Sequence, residues 1–259
     1  MGLSSKAIEV KGRQTEVLTA GDSGEPLVFL HGGGVVEGFD CFEPLATRFR
    51  VIAPLRPGYG ATELDPPLDG RDEVAENISD VLDALGIERA VLVGHSLGGW
   101  LAATVASRSP DRVSLLALAA PFGLDVPAHR GVDFSSMSPP EVAAALTNDP
   151  TIWEGRLPSG PDPAFEAARG RERQALARLM PGPYDPGLPE ILTKIAAPTL
   201  LLWGEDDKVT PVGCASEWKQ AIAQASLRTF PGTGHLLFHE RADAVDAIRE
   251  FVDSQESAA

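Results

Sequence analysis

The chain has 259 residues, 43% of them apolar, enough for one sizeable buried core with room for an insertion. Lys and Arg number 22 against 37 Asp and Glu, a net charge of −15, which argues against nucleic acid or an anionic membrane as partner. Cys41 and Cys214 lack metal-ligand spacing, positions 1–6 carry no apolar leader, and no segment reaches the roughly 18 apolar residues of a membrane span, so the expectation is a soluble, cytoplasmic protein with two small buried thiols.

Taken in chain order, residues 7–20 alternate polar and apolar side chains, as an edge antiparallel hairpin does. Apolar runs then recur at 27–30, 51–55, 90–93, 113–118, 199–203 and 227–230, the pattern of strands buried on both faces of a mainly parallel sheet. Between them the periodicity is helical. Over 72–85, Val74, Ile78, Val81, Leu82 and Leu85 share a face and Gly86 is placed to end the helix; over 242–252, Val245, Ile248, Phe251 and Val252 do the same. Residues 122–189 break this rhythm. They are dense in Pro and Gly, hold two plausible helices at 139–146 and 163–179, and are too long for a plain loop. They are read as an inserted helical lid on a core of residues 1–121 and 190–259. The lid's four arginines, Arg169, Arg171, Arg173 and Arg178, are expected to form a solvated face, with a clamp on a substrate carboxylate as the alternative.

The run Gly94-His95-Ser96-Leu97-Gly98 follows the strand at 90–93 directly and a helical stretch begins at Trp100. Strand, Gly-x-Ser-x-Gly, helix is the context of a nucleophile elbow, in which a sharp turn lifts the serine hydroxyl clear of the sheet. A hydroxyl is a poor nucleophile at neutral pH and needs a base, itself oriented by a third group. Glu205, Asp206 and Asp207 follow the strand at 199–203, at the carboxyl end where parallel sheets gather catalytic side chains. His235 follows the next strand, in Gly232-Thr233-Gly234-His235. The chain order is serine, acid, histidine.

These motifs, in this order, resemble the α/β-hydrolase superfamily over essentially the whole chain, in its lid-bearing serine esterase form. The resemblance implies an α/β fold: a mostly parallel, eight-stranded-type sheet flanked by helices, with the lid inserted. Its Gly-x-x-Asp-x-x-x-Pro pattern falls on Gly204, Asp207 and Pro211, which makes Asp207 the triad acid, Asp206 the alternative, and Glu205 a turn residue. Ser96, Asp207 and His235 are then the catalytic residues. The oxyanion donors are the amides of Leu97 and Gly33, with Gly34 in reserve and His31 anchoring their loop. Arg56, in Arg56-Pro57-Gly58-Tyr59-Gly60, is read as structural, with a substrate contact as the alternative. His95 is read as structural, His239 as a surface residue, and His129 carries no pattern.

Phe122, Leu124, Val209 and Leu236 are candidates, with Gly34, for lining the substrate pocket, and their apolar character favours a hydrophobic ester of modest size. The expected reaction is acyl transfer to water from a small-molecule ester, with no metal and no cofactor. Serine at the elbow excludes the epoxide hydrolases and haloalkane dehalogenases, which use Asp there. One alternative is a carbon–carbon hydrolase of the meta-cleavage type. Those enzymes usually carry Asn where His95 stands and Trp directly after the triad histidine, where this chain has Leu236. Cofactor-free perhydrolysis and a receptor-like, non-enzymatic ligand-binding role are the others.

Overall fold

The computed structural model describes residues 2–153, 155–180 and 182–257. Eight strands form one sheet: β1 (Ser4–Val10), β2 (Arg13–Ala20), β3 (Glu25–Leu30), β4 (Phe49–Pro54), β5 (Ala90–His95), β6 (Val113–Ala119), β7 (Thr199–Gly204) and β8 (Ala225–Phe230). Their spatial order is β1-β2-β4-β3-β5-β6-β7-β8. The β1–β2 hairpin and the β2–β4 pairing are antiparallel, and every other pairing is parallel. The expected edge hairpin and mainly parallel sheet are therefore both present.

The unbroken apolar runs have a simple cause. Successive strand residues point to opposite faces, and here both faces are covered. Leu27 and Phe29 enter one core with Val91, Val93, Leu200 and Leu202, while Val28 and Leu30 enter the other with Leu92, Leu201 and Trp203. Helix α1 (Gly70–Ala84) and α2 (Leu97–Arg108) cover the second face. There Val74, Ile78 and Leu82 of α1 meet Trp100 and Leu101 of α2, and all five are buried. The α1 periodicity read from sequence is thus a packing face. Its end is also as expected: Gly86 sits at φ 65°, and the amides of Gly86 and Ile87 bond to the carbonyls of Asp83 and Leu82, satisfying otherwise orphaned acceptors.

The segment between β6 and β7 carries no strand among its described residues. It contains α3 (Pro139–Leu146), α4 (Pro163–Leu179), short 3₁₀ turns and α5 (Leu188–Thr193). Asp162 caps α4 by accepting from the amides of Ala164 and Phe165, and Pro163 stands at its first position, where a missing N–H costs nothing. Beyond β7 come α6 (Ala215–Ala221), α7 (Leu237–Glu240) and α8 (Ala242–Glu256), the last burying Val245, Ile248 and Val252 on the first face. No described helix is long and apolar enough to cross a membrane.

Strand order positions the site. From β3 the chain steps outward to β4, then returns through α1 to β5 on the other side of β3. At such a reversal the loops leaving two neighbouring strands diverge and open a crevice at their carboxyl ends. The residues on either side of it are His31–Gly34 after β3 and Ser96 after β5.

Candidate active site

Ser96 occupies the turn between β5 and α2 at φ 54° and ψ −119°, a backbone conformation that L side chains rarely adopt. Hydrogen bonds over-determine it. The Ser96 amide donates to Ala119 O, and Ser96 O accepts from the amides of Gly99, Trp100 and Phe122 at 2.9–3.2 Å. The glycines of the motif allow the closeness this requires: a Cβ on Gly94 would collide with the backbone of Gly98 and Gly99, and one on Gly98 with the carbonyls of Leu30 and His31. Leu97 is the first residue of α2, so its amide belongs to the turn with no intrahelical acceptor.

Asp207 and His235 meet, as the sequence implies. His235 Nδ1 donates to Asp207 Oδ2 at 2.8 Å, with both side chains buried. Asp207 Oδ1 accepts from the amides of Val209 and Thr210 at 2.8 and 2.9 Å, and Thr210 Oγ1 donates to Oδ2 at 2.9 Å. Four donors on one buried carboxylate fix its orientation. Thr210 was not singled out from sequence; nothing distinguished it from its neighbours until the turn folded it over the carboxylate. Asp206 is exposed, and its carboxylate accepts from Asn148 Nδ2 at 3.0 Å, away from the histidine. Glu205 accepts from Thr229 Oγ1, a contact within the exposed turn.

His95 links elbow and base. Its Nε2 donates to the carbonyl of His235 at 2.9 Å, and the two rings lie 4.8 Å apart between centroids. Burial drives its pKa well below the ordinary histidine value, so it is a neutral spacer. His239 corrects the sequence expectation of a surface residue. It is half-buried, with Nε2 3.1 Å from Gly38 O and 3.6 Å from Cys41 Sγ, because the short helix α7 turns it back onto the β3 loop. Cys41 is itself only partly buried, whereas Cys214 is buried as expected. His129 is exposed.

The loop after β3 is held from behind. Arg56 Nη1 and Nη2 donate to the carbonyls of His31 and Gly32, the second at 2.6 Å, and Tyr59 Oη donates to Gly33 O at 3.2 Å. His31 accepts the Arg56 amide on Nε2 at 3.2 Å and donates from Nδ1 to Gly32 O at 3.0 Å, so this buried ring anchors the loop as expected. Three successive carbonyls are thus drawn toward the β4 loop. A Cβ on Gly32 would stand 3.5 Å from Ser96 Cβ, and one on Gly33 3.3 Å from Leu97 Cδ1. The glycine loop and the elbow are in contact.

The pocket candidates divide. Phe122 and Leu124 are partly buried against the core, with the Phe122 amide spent on the elbow. Val209 and Leu236 are buried in the two turns that carry Asp207 and His235, and the Leu236 amide donates to Leu146 O at the end of α3. Three lid arginines are exposed as expected: Arg171, Arg173 and Arg178. Arg169 is not. It is half-buried, ion-paired with the buried Glu172, and its Nη1 lies 3.8 Å from where a Cβ of Gly34 would stand. Glu37, on the β3 loop, is also buried, and burial raises its pKa to about 7. Sequence gave no hint of Glu37 or Glu172, since neither lies in a motif. Among the described residues no group of three or more His, Cys, Asp or Glu is arranged to hold a metal ion.

With this geometry in place, comparison with known proteins has a clear result. A family model described as the alpha/beta hydrolase family matches residues 27–248. The chain belongs to the alpha/beta hydrolase family. It is similar to a 2-hydroxymuconate semialdehyde hydrolase of Pseudomonas putida, at 31% identity over 262 residues, covering 88% of this chain and 89% of the relative. Among solved structures, a bacterial membrane phospholipase A superposes with a TM-score of 0.84 at 26% identity, covering 98% of this chain and 86% of that one. A serine hydrolase involved in carbazole degradation, CarC, superposes with a TM-score of 0.80 at 25% identity, covering 97% and 99%. This alpha/beta hydrolase has the full eight-stranded sheet of its family, and its relatives make it a hydrolase.

Proposed function

We propose that the protein is a serine hydrolase that cleaves carboxylic esters of small to medium, mainly apolar substrates through Ser96, His235 and Asp207. The observation that carries this reading is the buried 2.8 Å hydrogen bond from His235 to a fourfold-held Asp207, combined with the strained Ser96 in the turn after β5. Asp207 fixes the tautomer with Nδ1 protonated, which leaves Nε2 as the acceptor, and stabilises the imidazolium once it forms. His235 takes the proton as Ser96 Oγ adds to the carbonyl carbon. The amides of Gly33 and Leu97 receive the oxyanion, a contribution on the order of 3–4 kcal/mol per donor in the transition state. His235 then protonates the departing alcohol. Water, deprotonated by the same ring, attacks the acyl-enzyme and releases acid and free Ser96. The helical segment 122–189 serves as the lid, with Phe122, Leu124, Val209 and Leu236 contributing to the pocket wall, and the substrate is a soluble small molecule met in the cytoplasm.

The second reading is carbon–carbon cleavage of a vinylogous diketone, favoured by the name of the 31% identical relative. His95 and Leu236 stand where enzymes of that type usually carry Asn and Trp, and His95 spends its Nε2–H on the His235 carbonyl. Turnover of 4-nitrophenyl acetate and butyrate by wild type and Ser96→Ala tests the first reading. The wild type is expected to hydrolyse both and the variant neither; equal, slow rates for the two proteins would sink it. A 2-hydroxy-6-oxohexa-2,4-dienoate substrate in the same assay separates ester from carbon–carbon hydrolysis.

A further inference from the structure

A buried carboxyl, Glu37, lies within electrostatic reach of the Arg169–Glu172 ion pair on the α4 side of the crevice. Glu172 is 5% exposed and ion-paired with Arg169; Glu37 is 8% exposed. Arg169 rests 5.4 Å from the centroid of the Phe165 ring, and its buried Nε has no hydrogen-bond partner among the described residues. Charges on His235, Arg169 and Glu172 act on Glu37, whose carboxyl accepts from its own amide. On its own loop Asp40 and Cys41 stand nearby, and Arg156 donates to the Glu37 carbonyl oxygen. Arg56 also faces Glu172, but its Nη atoms are committed to His31 and Gly32.

Such an arrangement is a poor way to stabilise a fold. One acid would neutralise Arg169, and a second buried carboxyl without a partner costs more than a glutamine or leucine in its place. A buried acid on the β3 loop, near a buried ion pair that reaches Gly34 and leaves the Arg169 Nε–H unused, points instead to a ligand group.

We propose that Glu37, Arg169 and Glu172 form a polar subsite of the acyl pocket that takes an uncharged hydrogen-bonding group, such as a hydroxyl, and turns away a carboxylate. The proposal rests on the esterase reading of Ser96. Arg169 Nε–H supplies the donor and the two carboxyls the acceptors. A substrate carboxylate would have to displace Glu172 from Arg169 and then face Glu37 at close range in a site with little water. Like charges repel strongly there, so the selectivity comes from a penalty on the wrong substrate.

The test uses 4-nitrophenyl hexanoate, 4-nitrophenyl 6-hydroxyhexanoate and mono-4-nitrophenyl adipate at pH 8. Wild type is expected to turn over the hydroxy ester at least as well as hexanoate and at least tenfold better, by kcat/KM, than the adipate. Glu37→Gln should shrink that gap at least fivefold. A calorimetric arm with Ser96→Ala reads the subsite without chemistry: methyl 6-hydroxyhexanoate should bind and monomethyl adipate should bind at least tenfold more weakly. Preference for the adipate, an unchanged ratio in Glu37→Gln, or equal binding of the two methyl esters would overturn the subsite. Loss of all ester turnover with the calorimetric difference intact would instead overturn the esterase reading and leave the subsite standing.

Discussion

The β5–α2 turn and helix α4 border the same crevice but are built on opposite principles. At the turn the backbone carries the structure: Ser96 N donates to Ala119 O, Ser96 O accepts three amides, and Gly94 and Gly98 let strand, turn and helix touch. Helix α4 is held mainly by side chains, through the exposed Arg178–Asp69 ion pair, the Arg171 contact to Gly60 O at 3.4 Å, and only a few buried groups such as Leu179. A backbone-determined region positions atoms to a fraction of an ångström. A side-chain-determined region can vary without disturbing the sheet. On the proposed function, chemistry belongs to the first and selectivity to the second.

Substitutions at the turn and its partners should therefore destroy rate. Ser96→Ala is expected to lower kcat by roughly 10⁴-fold or more, since a triad without its nucleophile keeps only the oxyanion donors and binding, while the melting temperature holds or rises. Asp207→Asn should cost about 10⁴-fold in kcat by releasing the tautomer that the 2.8 Å bond enforces. A loss below tenfold in either, measured by steady-state kinetics, would break the assignment of chemistry to this half. Arg56→Met comes next. It frees the His31 and Gly32 carbonyls, so kcat should fall 10- to 1,000-fold with KM nearly unchanged, the signature of a misplaced oxyanion donor.

Legibility in the sequence follows the same division. The placement of Ser96 on a strand–helix turn and the meeting of Asp207 with His235 could be read because a tight turn, a strand end and a Gly-rich loop each need particular residues at fixed spacing. The strands could be read because burial on both faces leaves nowhere for a polar residue. Spacing already set Asp207 ahead of Asp206 through Gly204 and Pro211; what the structure adds is the His235 bond to Asp207 and the Thr210 hydroxyl donating to the same carboxylate. The half-buried His239 and the Glu37–Arg169–Glu172 group depend on which elements the chain brings together from 37 to 239, and no local pattern records that.

Stability against pH sharpens the contrast at smaller effect. Burial raises the Glu37 pKa from 4.5 to about 7, so the unfolded chain ionises first and stability attributable to this group is lost as pH rises from 4.5 through about 7. Glu37→Gln should thus gain up to about 3 kcal/mol at pH 8 and almost nothing at pH 4. The buried neutral His31 and His95 act in the other direction, withdrawing stability as pH falls below the ordinary value of 6.5. Denaturant melts of wild type and Glu37→Gln at pH 4, 6 and 8 measure both. The smallest effect belongs to the exposed end of α4: Arg178→Ala should change stability by less than about 0.5 kcal/mol and ester turnover by less than twofold.

Ser96 as the activated nucleophile is most directly tested by intact-protein mass spectrometry after brief exposure to a 4-nitrophenyl alkylphosphonate, with peptide mapping of the product. One phosphonyl group per chain, mapped to the peptide containing Ser96, absent from Ser96→Ala and formed far more slowly in Asp207→Asn, is the expected result. A wild-type chain that hydrolyses esters yet carries the group elsewhere, or not at all, would contradict it.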